Sequence, residues 1–189
     1  MKPRGLKFLK HKIRIENRSV ANKVFLREEA TKHLPVLKVL DLFAANNILW
    51  RKFEKERYYG VDIVPEKGSN LCADSKQVVR SIDLSGFNVI DCDSFEIPYE
   101  ICKYLLANGN VRSGTVIIYT AMTNVFTQLP AACIDDLGIK KMYKIAPSLF
   151  SRNAITYFYD MLANHGIKEI WHYAHIDNFV KHYGYFIVP

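Results

Sequence analysis

The sequence predicts an α/β fold: a mostly parallel sheet with helices on both faces, finished by an antiparallel strand. Apolar runs rich in Val, Ile, Tyr and Phe recur along the 189 residues, separated by helical periodicities, as in parallel strands joined by crossover helices. The stretch from His175 to Tyr183, between the last two runs, is too short for a crossover helix, so those strands should be antiparallel neighbours. A chain of this length fits one domain with a sizeable core.

Taken in order, residues 1–35 are expected to form a basic arm and helix, and residues 36–189 the sheet domain. "VLKVLDLF", "YYGVDIV", "FNVIDCD" and "GTVIIYTAM" are bounded by turn residues, as buried strands are. "EIWHYAHI" and "YGYFIVP" supply the closing pair. Between the strands, "IPYEICKYLLANGN" sets Ile97, Ile101 and Leu105 at i, i+4 and i+8, with Pro98 near its start and Gly109 near its end. "LPAACIDDLG" runs from a proline to Gly138, and "SRNAITYFYDMLANHG" stacks Ile155, Phe158, Tyr159 and Leu162 before Gly166. One connection resists the pattern. Only Pro65 to Ser69 separates "VDIV" from "NLCA", whereas a parallel crossover needs about a dozen residues. Either the helix there is lost, or "NLCA" is a loop crossing the sheet.

With 49% hydrophobic and 24% charged residues, the chain belongs with folded proteins rather than disordered ones. No apolar run approaches the roughly 18 to 20 residues of a membrane span, and "MKPRGLKFLKHKIRIENR" lacks the apolar core of a signal peptide. A cytoplasmic protein with no membrane partner is expected. Cys72, Cys92, Cys102 and Cys133 are scattered, and His172, His175 and His182 have no Cys or carboxylate partners at ligand spacing. Reduced, mostly buried thiols and no metal site are expected.

Charge is unevenly placed. Up to Lys38, eleven basic residues face three acids, while the rest of the chain is close to neutral within a total of +7. Such an arm suits a polyanion, nucleic acid before membrane, because neutralising phosphates releases counterions; Lys7, Lys10, Lys12, Arg14 and Arg18 are its candidate contacts. The alternative is a solvated tail.

Acids recur where strands should end: Asp41, Asp62, Asp74 and the pair Asp91 and Asp93. In open α/β sheets the ligand lies beyond the carboxyl ends of the strands. An acid after the second strand can accept both ribose hydroxyls of a nucleoside cofactor, and the first loop must let backbone N–H groups approach it. Any one of these acids could instead cap a helix or form a turn. Four in register point to a nucleoside site. No Ser/His/Asp set, P-loop lysine or deaminase signature competes with that reading.

Three stretches carry a resemblance: "VLDLFAANNILWRKF", "YYGVDIVPE" and "CADSKQVVRSIDLSGFNVIDCDSFEIP". A parallel sheet closed by an antiparallel strand is the plan of the Rossmann-like class I methyltransferases. Within that class these stretches resemble the catalytic domain of the tRNA (guanine-N2) dimethyltransferases. That family's first motif runs from strand and acid into Ala-Ala-Ser/Thr-Gly-Leu/Ile-Arg, its second is Asn-Asp-Ile-x-Pro-Glu, and its acceptor motif is Asp-x-Asp-Pro-Phe-Gly-x-Pro. The likeness spans Val36 to Pro189. It implies S-adenosylmethionine as cofactor, with Asp62 at the ribose, Asp74 at the adenine, and Asp41, Ala44, Ala45 and Asn46 at the methionine end. Ile63, Ser75 and Asp91 would stand beside them. It also implies that Asp93 accepts a hydrogen bond from the amine to be methylated and that Phe95 stacks on the base.

The departures are specific. Asn46-Asn47 stands where the family has Ser/Thr-Gly, and Asn is the non-glycine residue that best tolerates a left-handed backbone. Leu49 replaces the family's arginine, Ser94 its proline and Glu96 its glycine. Glu96 could act as a base, change the substrate, or simply occupy an exposed turn before the helix at Pro98. Tyr119, Thr120 and Met122 could wall the substrate side or belong to the core. The family's tRNA enzymes carry a further carboxyl-terminal domain, whereas this chain stops at "GYFIVP", so a homo-oligomer, a partner subunit or a smaller substrate is expected. Three readings follow: an N-methyltransferase acting on RNA or another nucleic acid, a degenerate relative that only binds nucleic acid or protein, and a methyltransferase for protein or a small molecule.

Overall fold

Alternating burial builds the centre of the protein. In β2 (Lys38–Asp41), β5 (Val89–Asp93) and β6 (Val116–Thr123), Leu40, Ile90 and Ile117 join one core while Val39, Val89 and Val116 join the other. This period of two is what a sheet buried on both faces requires. The computed structural model describes residues 7–9, 19–45, 49–64, 69–94, 96–107, 109, 111–123, 127–176 and 180–189. The remaining strands are β1 (Lys7–Leu9), β3 (Arg57–Asp62), β4 (Leu71–Cys72), β7 (Glu169–Ile176) and β8 (Val180–Ile187).

The eight strands lie in the order β1-β7-β8-β6-β5-β2-β3-β4. Only β8 runs against its neighbours, pairing antiparallel with both β6 and β7. The short final connection therefore closes the sheet as the sequence predicts. Two details differ from the sequence reading. Lys7–Leu9 of the basic arm is an edge strand, parallel to β7. "NLCA" is neither a full strand nor a free loop: Leu71 and Cys72 pair with Val61 and Asp62, and the connection shows no helix among its described residues. With so short a crossover the ladder stops after two residues, held by Asn70, whose side-chain oxygen accepts the Gly60 N–H at 2.7 Å.

One face of the sheet carries α2 (Ser75–Ser81), α3 (Tyr99–Ala107), α4 (Ala131–Asp136) and α7 (Ala154–Asn164), with α5 (Lys140–Ile145) and α6 (Pro147–Ser151) outside them in the connection from α4 to α7. Ile101, Leu105, Phe158 and Leu162 pack there against Leu40, Ile90 and Ile117. Helices α2, α5 and α6 are additional to those expected from periodicity, because each is too short to show an apolar repeat. The opposite face is covered by α1 (Ser19–Thr31) through Leu26 and Ala30, and by Trp50 from the turns between β2 and β3. Trp50 is completely buried and does there the work of a crossover helix.

Gly184 in β8 marks a tight approach. A Cβ there would collide with the Tyr119 ring and lie 2.6 Å from the Trp171 carbonyl oxygen, so the strand accepts no side chain at that point. All four cysteines are free, with Cys72 exposed and the other three buried. Among the described residues no helix is long and apolar enough to cross a membrane.

Candidate cofactor and acceptor site

Parity decides where the strand-end acids point. Asp41, Asp91 and Asp93 share alternation with Val39 and Val89, so their carboxylates face α1, and α1 answers them with Lys23 and Arg27, one turn apart. Arg27 Nε donates to Asp91 Oδ2 at 2.8 Å, and its Nη2 reaches Asp93 Oδ2 at 3.4 Å. Lys23 Nζ lies 2.7 Å from Asp93 Oδ1. Trp50 Nε1 donates to the same Asp91 oxygen at 2.7 Å. Arg27 is itself anchored, since its Nη1 donates to the Lys23 carbonyl at 2.8 Å.

The electrostatics follow from burial. Desolvation opposes the charge of Arg27, yet Asp91, Asp93 and Asp41 together hold its pKa above the usual value. Burial raises the Asp91 carboxyl, with Arg27 opposing. Asp41 accepts from the Phe43 N–H at 3.2 Å and from the Tyr58 hydroxyl at 3.1 Å; among the described residues no cation pairs with it directly, and Arg27 opposes its shift only from a distance. Burial, then the charge of Asp91 in register on the next strand, push Asp41 up to about 8.

On the loop after β2, Leu42 N–H donates to the Asp91 carbonyl and Ala44 N–H to the Val61 carbonyl, which continues the ladder past the strand. Ala45 then turns with φ of 42° and donates its N–H to Asp62 Oδ2 at 2.9 Å. Among the described residues of this glycine-free loop Ala45 is left-handed, and the asparagines expected to take that conformation lie outside the described residues. Asp62 Oδ1 accepts the Val64 N–H at 2.9 Å, so one carboxylate ties the loop to the end of β3.

Asp62 faces a cavity of about 210 Å³ lined also by Leu42, Phe43, Ile63, Asp74, Ser75, Lys76 and Ile101. Asp74 caps α2, accepting the Lys76 N–H at 2.7 Å, and the Ser75 hydroxyl donates to the Leu42 carbonyl. Ile63 leaves 69% of its surface exposed at the rim. A second cavity of about 250 Å³ shares Phe43, Lys76 and Ile101 with the first and continues along Ser94, Glu96, Ile97, Pro98, Glu100 and Pro130. Together they form a groove across the carboxyl ends of the strands, within the range of about 300 to 1,000 Å³ usual for ligand sites. A larger hollow of about 620 Å³ lies at the other end of the sheet, beside Lys38, Arg57 and Asn88, where the strands begin rather than end.

In the loop after β5 the Ser94 hydroxyl donates to the Glu96 carbonyl, a side-chain bond at the position where the resembling family has a proline. Glu96 is exposed on the wall of the second cavity. Glu100 is neutralised by Lys76 and Arg80, each at 2.7 Å.

The sequence-derived residues therefore divide. Asp62, Ile63, Asp74 and Ser75 line the first cavity, Glu96 lines the second, and Ala44 and Ala45 shape the loop. Asp41, Asp91 and Asp93 gather instead on the α1 side, and Asp91, fully buried, lines neither cavity. Asn46, Asn47, Phe95, Lys10, Lys12, Arg14 and Arg18 lie outside the described residues, as does the side chain of Lys7. Tyr119 and Thr120 are buried, with the Tyr119 hydroxyl 3.3 Å from that of Tyr159. His172 Nε2 lies 3.2 Å from His182 Nδ1, and Thr123 Oγ1 meets His182 Nε2 at 2.9 Å. Burial lowers both imidazoles to about 4, so they are neutral at pH 7.

Sequence reasoning missed Arg27, Lys23 and Trp50. The one signal was the four-residue spacing of Lys23 and Arg27 on the helix that carries Leu26 and Ala30. Both cations had been counted with a basic arm, yet they neutralise the protein's own acids.

No protein-family model matches the chain, and no curated protein matches it in sequence. Solved structures do. The N-methyltransferase NodS from Bradyrhizobium japonicum WM9 is similar with a TM-score of 0.55 at 10% identity, over 93% of this chain and 99% of NodS. The putative methyltransferase yhhF from Escherichia coli gives 0.51 at 9% identity, over 100% and 98%. The plantazolicin methyltransferase BamL, solved with SAH, gives 0.52 at 11% identity, over 90% and 84%. The chain has the Rossmann-like class I methyltransferase fold. In that frame the groove at Asp62 and Asp74 occupies the carboxyl edge at which such sheets bind ligands.

Proposed function

We propose that the protein is an S-adenosylmethionine-dependent N-methyltransferase whose acceptor is an exocyclic base amine of a nucleic acid, RNA in the first instance. The observation that carries the reading is Asp62, whose carboxylate ends the second central strand and faces a cavity at the carboxyl edge of the sheet. Among the described residues each of its oxygens accepts one backbone N–H, and a carboxylate offers about four acceptor positions, which leaves roughly two that ribose hydroxyls could use. Ile63 presents beside it the exposed apolar surface that an adenine would cover, and Asp74 stands across the same cavity. These residues fit the cofactor.

When bound, S-adenosylmethionine supplies an electrophilic methyl group on a sulfonium centre. The chain's own part is orientation. By the resemblance Asp93, at the end of β5, would accept an N–H from the acceptor amine and so aim the nitrogen lone pair, although its carboxylate faces α1 and lines neither cavity. Its Oδ1 is held by Lys23, which is partly exposed, and its Oδ2 by the buried Arg27. Lys23 would have to yield to the incoming amine while Arg27 stays. The nucleic-acid part of the reading draws on the resemblance to the tRNA dimethyltransferases and on the basic arm.

The same ion pairs favour a second reading, in which the fold binds nucleic acid or protein without catalysis, because Asp93 is already engaged by two cations. Parallel incubations with methyl-labelled S-adenosylmethionine and cellular RNA, DNA or protein separate the two. Label in RNA from the wild type, lost in Asp93→Ala, supports the enzyme; no label in RNA, DNA or protein, with cofactor still bound, supports the silent relative.

A further inference from the structure

Helices α5 and α6 stand beside the second cavity. The Leu129 N–H donates to the Tyr143 hydroxyl at 2.9 Å, and the next residue, Pro130, lines that cavity. The ring of Tyr143 packs on Phe150 of α6, with centroids 6.2 Å apart, so the two aromatic side chains hold the helices to each other and to the rim. Outside this contact almost nothing is covered: α5 buries no residue and α6 only Ser151. Met142, Ile145 and Leu149 are 54%, 84% and 66% exposed. From Ile139 to Asn153 the sequence holds four basic residues, Lys140, Lys141, Lys144 and Arg152, and no acid. Aliphatic side chains so exposed, clustered and ringed by cations, mark a contact surface for an anionic partner.

We propose that this knob is a wedge for stacked nucleic acid, in which the lysines hold phosphates while Ile145 and Leu149 press between neighbouring bases and free one for the adjacent cavity. The inference rests on the nucleic-acid reading of the function and narrows it, since it makes the substrate a helical segment. An enzyme that modifies a base must take it out of its stack, and Leu, Ile and Met are side chains that unstack base steps. A platform for single strands would present aromatic faces, but here Tyr143 and Phe150 are turned to each other. A second copy of the chain fits poorly. A two-fold contact would set lysines against lysines, and a few aliphatic side chains, on the order of a few hundred Å², fall short of the roughly 1,000 Å² of a stable interface.

The test uses a stem-loop RNA carrying 2-aminopurine in its stem, with fluorescence reporting unstacking and anisotropy reporting binding. The wild type should bind and raise the fluorescence. Ile145→Ser/Leu149→Ser should bind with the same salt dependence and lose the rise, while Lys140→Gln/Lys141→Gln/Lys144→Gln should lower the salt slope by about 2 to 3. All three proteins should melt alike, because the changed residues are exposed. Binding without any rise, or a rise kept by the aliphatic variant, overturns the wedge and leaves the nucleic-acid reading standing. No binding by the wild type overturns both. Retention on phosphatidylglycerol vesicles that depends on Ile145, without an RNA effect, reassigns the knob to a lipid surface.

Discussion

Arg27 of α1 and Asp91 of β5 form the buried ionic centre of the protein: the guanidinium Nε donates to Oδ2 at 2.8 Å, and both side chains are inaccessible to solvent. Desolvating two charges is offset here only because the pair is close and Trp50 donates to the same oxygen. Removing one partner leaves a buried charge without compensation. Arg27→Met should therefore cost about 3 to 5 kcal/mol in urea denaturation. The double variant Arg27→Met/Asp91→Asn should recover part of that loss. Equal instability of single and double variants would contradict the pairing.

Asp41 gives a pH signature. Its unfolded carboxyl titrates near 3.8 and its folded one at about 8, so between those values the folded state holds a proton that the unfolded state has lost. Stability from this group accordingly falls as pH rises through that window and levels off above it. Asp41→Asn keeps the size, accepts from Phe43 and can donate to the Tyr58 hydroxyl. The stability gap in favour of the variant should widen from pH 5 to pH 8. Taking the difference also removes the contribution of His172 and His182, whose lowered values make stability rise with pH on the acid side. Parallel pH curves for the two proteins would show that Asp41 is ionised throughout.

Ala45 pays for its turn in backbone strain. A left-handed conformation costs a non-glycine residue about 1 to 2 kcal/mol, against roughly 0.5 to 1 kcal/mol of extra chain entropy lost by glycine. Ala45→Gly should raise stability by about 0.5 to 1 kcal/mol, and Ala45→Val should lower it. A destabilised glycine variant would mean that the observed φ of 42° is not the solution conformation.

The sheet was legible because its signals are local: alternation within "FNVIDCD" and "GTVIIYTAM", the short closing connection, and acids at strand ends. Arg27 was not legible. A buried arginine makes sense only with its partner, and Asp91 lies 64 residues away, so in sequence Arg27 reads as one more surface cation. The acids were found but not their directions. Alternation turns Asp91 toward the face of Val89, but it does not place Asp62, two strands over and of the same parity as Tyr58: its carboxylate reaches the groove from the last position of β3, where it accepts the Ala45 and Val64 N–H groups. The knob at α5 and α6 escaped because helices of six and five residues show no repeat. The loop turns at Ala45 because its N–H is aimed at Asp62, a tertiary bond that no local propensity encodes.

The groove at Asp62 is where a nucleoside cofactor would bind. Calorimetric titration of the wild type and of Asp62→Ala with S-adenosylhomocysteine tests it most directly. The wild type should bind saturably at micromolar affinity, on the order of 8 kcal/mol, and the variant should lose binding while remaining folded by circular dichroism. No heat with the wild type, or equal binding by both proteins, would contradict it.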